Sequence, residues 1–252
     1  MGFFVSHNNQ SYYNIYIKQL INNFMSSKPH TDEVYKPKRK PKNPIMFKLQ
    51  LNPEQKQAKQ TILENDIVVL KGNAGSGKTF VAVQAALDML FMGEVEQVVI
   101  TRPTVSKEEI GFLPGDIKEK MDPWLAPIYQ NMYSLYDKTK VEKYIEEERI
   151  KIVPFAFIRG ITFCNAFVIV DEAQNVTHDQ MEAVIGRLGK DSKMVICGDS
   201  TQNDLKIKKD SGFSFLSRLE EEVPGFKIIK LLTNHRHKIV EPILKVYENY
   251  KD

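Results

Sequence analysis

From Leu51 onward the chain repeats one pattern: a short unbroken apolar run, then a longer segment whose apolar residues recur at helical spacing. The runs DIVVLKG, EQVVITRP, IKIVPFAF, FCNAFVIVDE, SKMVICGD and FKIIKLL read as strands. Apolar runs without polar alternation, such as VVIT and FVIV, are what a strand covered on both faces carries. Between them lie segments with helix signals. Asn52 is placed as an N-cap with Pro53 at the first helical position. KTFVAVQAALDMLFM is closed by Gly93. WLAPIYQNMYSLY and KVEKYIEEE have helical spacing. Thr177 to Gln180 form a capping box that opens a helix through Leu188. FSFLSRLEEE and HKIVEPILKVYENY complete the set. Strands alternating with helices predict βαβ units: an α/β fold with a parallel sheet and helices on both faces, over residues 43–252.

The first 42 residues have a different texture. YYNIYIKQLINNFM suits a short amphipathic element. From Lys28 to Pro44, four prolines are mixed with lysine and arginine, which reads as a basic linker. It is either a solvated tether or a contact for phosphate backbones.

Two of the predicted strands end in chemistry. DIVVLK runs into Gly72-Asn73-Ala74-Gly75-Ser76-Gly77-Lys78-Thr79, the pattern G-x-x-x-x-G-K-T, and an apolar helix follows. That is the context of a phosphate-binding P-loop. Its glycines let successive N–H groups turn toward phosphate oxygens, and the helix start adds partial positive charge. Lys78 is expected to bridge the β- and γ-phosphates of ATP, and Thr79 to ligate Mg²⁺. VIVDEAQ, Val168 to Gln174, ends a buried strand on two adjacent carboxylates. Open parallel sheets bind ligands at that end. Asp171 is expected to hold the Mg²⁺ shell, and Glu172 to orient or deprotonate the attacking water.

Three further segments reach the same edge. MVICGD leads to Gln202, whose amide can sense the γ-phosphate. FKIIKLL leads to Arg236, either an arginine finger on the transferring phosphoryl group or an ordinary surface arginine. EQVVIT leads to Arg102, a candidate grip on the phosphate of a nucleic acid or a nucleotide; Lys107 adds local positive charge, which Glu108 and Glu109 cancel. His235 and His237 flank Arg236; with no carboxylate or cysteine beside them they read as solvent-facing or core-satisfied rather than metal-binding.

Composition narrows the partners. With 35 Lys+Arg against 32 Asp+Glu, the net charge of +3 does not by itself call for nucleic acid. No apolar run approaches the roughly 18 residues of a membrane span, and the N-terminus lacks a signal-peptide core, so no membrane partner is expected. The two cysteines, Cys164 and Cys197, lie inside apolar runs without metal-ligand spacing. That pattern suits a reducing, cytoplasmic setting.

The order of P-loop, DEAQ, GDxxQ and an L-x-x-N-x-R segment resembles the superfamily 1 helicases. Leu51-Asn52-Pro53-Glu54-Gln55 looks like their adenine-reading Q-motif, which implies that Gln55 reads the adenine edge. TRPTVSKEEIGFLPGDIKEKMDPWLAPIY, PFAFIRGITFCNAFVIVDEAQN and GRLGKDSKMVICGDSTQNDL resemble the phosphate-starvation-inducible PhoH family of ATPases, from about Asn43 to near the C-terminus. The resemblance implies one RecA-like domain that hydrolyses ATP and acts on single-stranded RNA or DNA. Two departures stand out: Asn73 replaces the family's proline, and Arg159-Gly160-Ile161-Thr162 replaces R-G-R-T. Superfamily 1 motors complete their site with an arginine from a second domain, and residues 43–252 hold strands for one. A homo-oligomeric ring, a hexamer as the resemblance implies, would supply that arginine from a neighbour. Arg236 and Arg159 are the candidates, and the sequence leaves action in cis or in trans open. A nucleotide-gated switch that binds protein partners is the alternative function.

Overall fold

The structure, a computed structural model, describes residues 47–103, 117–155, 158, 160–205 and 210–251. The N-terminal extension, the Lys107–Glu109 segment and Arg159 lie outside the described residues. The described chain runs α1 (Pro53–Glu64), β1 (Ile67–Gly72), α2 (Lys78–Met92), β2 (Gln97–Arg102), α3 (Ile117–Leu135), α4 (Lys138–Glu146) and β3 (Ile150–Pro154). It continues through β4 (Ala166–Val170), a short 3-10 turn (Ala173–Asn175), α5 (His178–Ile185), β5 (Lys193–Gly198), α6 (Gly212–Glu222), β6 (Phe226–Leu231) and α7 (Val240–Lys251). The predicted α/β class is what forms. Six strands pair in the order β3-β2-β4-β5-β1-β6, and every pairing is parallel.

The side-chain alternation of a strand explains how β4 holds the two layers together. Phe167 and Ile169 enter one core with Ala58, Leu87, Leu90 and Ile128, on the side of α1, α2 and α3. Val168 and Val170 enter the other with Met181, Phe213 and Leu216, on the side of α5 and α6. All five β4 residues are buried, which accounts for the unbroken apolar run. The edge strand β6 is covered less well and exposes lysines, a common guard against edge pairing.

The caps behave as their side chains dictate. Asn52 accepts from the Gln55 amide while the Gln55 side chain accepts from the Asn52 amide, a reciprocal box that starts α1. Thr177 and Gln180 do the same for α5. Gly93, in the left-handed region, closes α2.

Three boundaries differ from the sequence reading. β3 stops at Pro154, which has no N–H to give the ladder. β4 begins only at Ala166, because Asn165 sits at φ 47° and breaks the extended run. α5 ends at Ile185 rather than Leu188, with Gly186 as its C-cap. Among the described residues no helix is long and apolar enough to cross a membrane.

Because Ile169 is wholly buried within β4, Ile169→Ala should cost about 2–5 kcal/mol of stability. Urea unfolding followed by circular dichroism checks this. A loss below about 1 kcal/mol would mean the layer closes around the gap.

Candidate nucleotide site

Strand order decides which loops meet. β1 pairs with β5 on one side, and β4 lies beyond β5. Lys71 is level with Gly198, and Val170 with Ile196. The P-loop after β1, the acids after β4 and the GD segment after β5 therefore open at one edge of the sheet, where parallel sheets bind ligands.

The P-loop runs from Gly72 through Asn73, Ala74, Gly75, Ser76 and Gly77 to Lys78 and Thr79. Gly75 at φ 88° and Gly77 at φ 83° occupy the left-handed region, where a side chain would strain the backbone. Space is equally short. A Cβ on Gly75 would sit 2.7 Å from Arg236 Cγ, and one on Gly77 would sit 2.5 Å from Gln55 Nε2. Lys78 Nζ donates to the carbonyls of Gly72 at 2.7 Å and Asn73 at 3.1 Å. The Ala74 N–H donates to Asp199 Oδ2 at 2.8 Å. A carboxylate oxygen on a P-loop amide shows that this amide seeks an anion, the role a phosphate oxygen fills.

Thr79 Oγ1 donates to Asp171 Oδ1 at 2.7 Å. Asp171 is 5% exposed. Burial, and then the charge of Glu172, push its carboxyl above the ordinary range; the Thr79 hydroxyl and Arg102 pull the other way. A hydroxyl beside a carboxylate whose charge lacks a full partner is a donor set that fits a hard divalent cation.

Glu172 follows at φ 52°, ψ 40°, a left-handed geometry uncommon for glutamate. Its two oxygens point different ways. Oε2 accepts from Gln174 Nε2 at 2.7 Å, and Oε1 meets Arg102 at 3.3 Å. The other end of the Gln174 amide, Oε1, accepts from the Asp199 N–H at 3.0 Å. Gln174 is buried, so one amide ties the tip of β4 to the tip of β5, and Asp199 carries the tie to the P-loop. Arg102, expected to grip phosphate, is thus engaged by Glu172.

The cleft between P-loop and C-terminal arm is lined by Asn73, Ala74, Asp199, Gln202, Asn234 and Arg236, among others. Gln202 reaches the edge its strand predicted and is exposed there. Arg236 lies on the P-loop of its own chain, and the preceding residue fastens it there: the His235 N–H donates to Gly75 O at 3.0 Å. Gln55, by contrast, has its amide committed to the α1 capping box and to His235. Asp199, Gln174, Glu54 and His235 carry contacts to which the sequence reading gave no role. The GD and DEAQ letters were the available signal for the first two; the strand order that joins them was not. Cys197 is fully buried, which pushes its thiol well above the usual range and leaves it inert.

This fold with this P-loop defines the class: a RecA-like P-loop NTPase domain. Residues 49–248 match the family model described as "PhoH-like protein", and the chain belongs to that family. A PhoH-like protein of Synechocystis sp. is 40% identical over 197 residues, 77% of this chain and 60% of that protein. One of Bacillus subtilis is 40% identical over 187 residues, 73% of this chain and 59% of that protein. The chain thus spans about three fifths of these relatives' length. Among solved structures, the large terminase of a thermophilic bacteriophage superimposes with a TM-score of 0.50 at 12% identity, over 78% of this chain and 50% of that one. That likeness concerns the fold.

The raised Asp171 carboxyl has a stability consequence with a definite sign. The folded state holds this proton more tightly than the unfolded chain, whose ordinary value is 3.8. Stability therefore falls as pH rises from that value through the folded one. Asp171→Asn keeps an acceptor for Thr79 without the charge. It should raise the urea midpoint at about pH 7, in chelator, and have no such effect near about pH 3. An equal gain at both values would mean that the buried charge is not the cause.

Proposed function

We propose that the protein binds and hydrolyses ATP with Mg²⁺ and couples this to single-stranded RNA or DNA. The observation that carries the reading is the Thr79–Asp171 pair beside a P-loop amide already held by a carboxylate, with Glu172 next in sequence. The P-loop amides and Lys78 would take the β- and γ-phosphates, Lys78 exchanging its carbonyl contacts for phosphate oxygens. Thr79 and Asp171 would hold Mg²⁺, which supplies positive charge at the phosphates. Glu172 would orient a water and take its proton as the water oxygen bonds to the γ-phosphorus, and the bond to the bridging oxygen breaks to leave ADP. Gln202 and Arg236 would face the γ-phosphate, with Arg236 stabilising the transferring charge in cis. Gln55 would read the base. Residues 43–252 would act as one domain, and residues 1–42 as a basic extension suited to phosphate backbones. Assembly into a homo-oligomeric ring would add a neighbour's surface to the cleft.

A second reading, a nucleotide-gated switch for protein partners, draws on α7. That helix exposes Ile243, Val246, Tyr247 and Tyr250 while contributing Leu244 to the cleft. Steady-state ATP hydrolysis with and without single-stranded RNA and DNA separates the two. Stimulation by one nucleic acid supports the first reading, and indifference to both supports the switch. Glu172→Gln should lower kcat by about 10²- to 10⁴-fold while ATP still binds. Unchanged turnover would remove Glu172 as the base.

A further inference from the structure

The residue before Arg236 is bound to the first turn of α1, and none of the chemistry above uses its side chain. His235 Nε2 lies 3.1 Å from Gln55 Nε2 and 3.2 Å from Asn52 Nδ2. The capping box decides which way the two amides face. Asn52 Oδ1 accepts the Gln55 N–H at 2.8 Å, and Gln55 Oε1 accepts the Asn52 N–H at 3.2 Å. Both NH₂ groups are therefore turned toward the imidazole. An NH₂ group only donates, so His235 Nε2 is the acceptor and the ring proton sits on Nδ1. Gln55 itself is 4% exposed. Its amide fills the space above Gly77 that a side chain would take, and His235 Cδ2 lies 3.7 Å from the same point. Amide and imidazole thus sit together over the residue that opens the P-loop helix.

We infer that His235 is a base-sensing positioning residue: its Nε2 gives Gln55 the kind of acceptor a purine N7 would give, so base binding and the placement of Arg236 are coupled. This rests on the nucleotide reading of the site. Purine N7 is an unprotonated ring nitrogen, chemically like Nε2, and competes for the N–H that Gln55 now gives His235. Adenine adds an N6 donor, which Gln55 Oε1 accepts with the lone pair its capping bond leaves over; guanine presents the O6 acceptor there and is rejected. When that N–H passes to the base, the imidazole keeps only the Asn52 donor and can shift. His235 is also fixed through its backbone to Gly75, and Arg236 packs on that glycine. The shift of the ring is thereby passed to the guanidinium at the P-loop. A clip with only a structural role would affect every nucleotide alike.

The test is kcat and KM for ATP and GTP in the wild type, His235→Ala and His235→Gln. The glutamine keeps a neutral acceptor at a similar reach. His235→Ala is expected to lose at least about tenfold of the ATP-over-GTP preference in kcat/KM, chiefly through kcat for ATP. His235→Gln is expected to restore most of it. An alanine variant whose preference stays within about twofold of wild type overturns the inference. So does a glutamine variant that restores nothing, or a wild type that turns over both nucleotides equally; in all three cases the nucleotide reading stands. A wild type that neither binds nor hydrolyses ATP or GTP overturns both.

Discussion

The hydrogen bond from Thr79 to Asp171 joins two parts of the fold that share no strand pairing. Thr79 belongs to the helix after β1, Asp171 to the end of β4, and β5 lies between them. The carboxylate that receives the bond is almost wholly dehydrated. A buried ionised carboxylate is costly without a partner, and one hydroxyl with the Glu172 backbone N–H is a weak set of partners for a full charge. Asp171 opens at the same sheet edge as the P-loop, where a bound cation would complete its neutralisation. The fold thus keeps a carboxyl that burial pushes toward its protonated form. Binding a cation there would trade a standing penalty for a favourable contact.

From this point the polar contacts spread along the strand ends. Arg102 at the tip of β2 meets Glu172, Glu172 receives Gln174, Gln174 accepts the Asp199 N–H, and the Asp199 carboxylate holds Ala74 of the P-loop. Side chains from the ends of β2, β4 and β5 are linked without a gap to the P-loop backbone after β1. The left-handed backbone at Glu172 allows this, because it turns the chain so that Gln174 faces β5 instead of continuing the strand. Strain of that kind survives only where neighbours hold it. Gln174 is held at both ends of its amide, and its carbonyl accepts from Ser211. One consequence concerns a bound phosphate. Any anion at the Ala74 amide must displace the Asp199 carboxylate, and the resulting movement reaches Glu172 through a single buried amide. Occupancy of the P-loop and the setting of the Glu172 carboxylate are therefore not independent.

What the sequence disclosed divides by range. The P-loop, the α1 and α5 capping signals and the unbroken strands depend on neighbours within a few residues, and these were legible. VIVDEAQ was legible because a P-loop already stood in the chain. Asp199 stood out only as a letter of GDxxQ, since its role requires β5 to lie directly beside β1, which no local pattern encodes. His235 was read as an ordinary histidine. Its partners, Asn52 and Gln55, are separated from it by 183 and 180 positions. The strand limits at Pro154 and Asn165 failed differently. Apolar character continued past them, but a missing N–H and a left-handed residue ended the ladder.

The C-terminal arm is held more lightly. It leaves β6, an edge strand, and returns across the P-loop on a few contacts. Glu54 accepts the N–H groups of Leu232 at 2.7 Å and Thr233 at 3.1 Å, Gly75 accepts that of His235, and Asn52 and Gln55 hold the imidazole. The Leu232 N–H, first among several causes, holds the Glu54 carboxyl below its usual range. Each such bond contributes on the order of 0.5–1.5 kcal/mol net, and the arm residues Leu232, Thr233 and His235 face solvent. The arm's attachment is therefore far weaker than the packing of β4, although both end at the same cleft. A site whose acids and P-loop are set in the core, and whose arginine rides on a strap fastened to α1, can change the arginine without disturbing the rest. That asymmetry places the fastening of the strap in the first turn of α1, where half of the capping box and the anchor of the imidazole are the same glutamine.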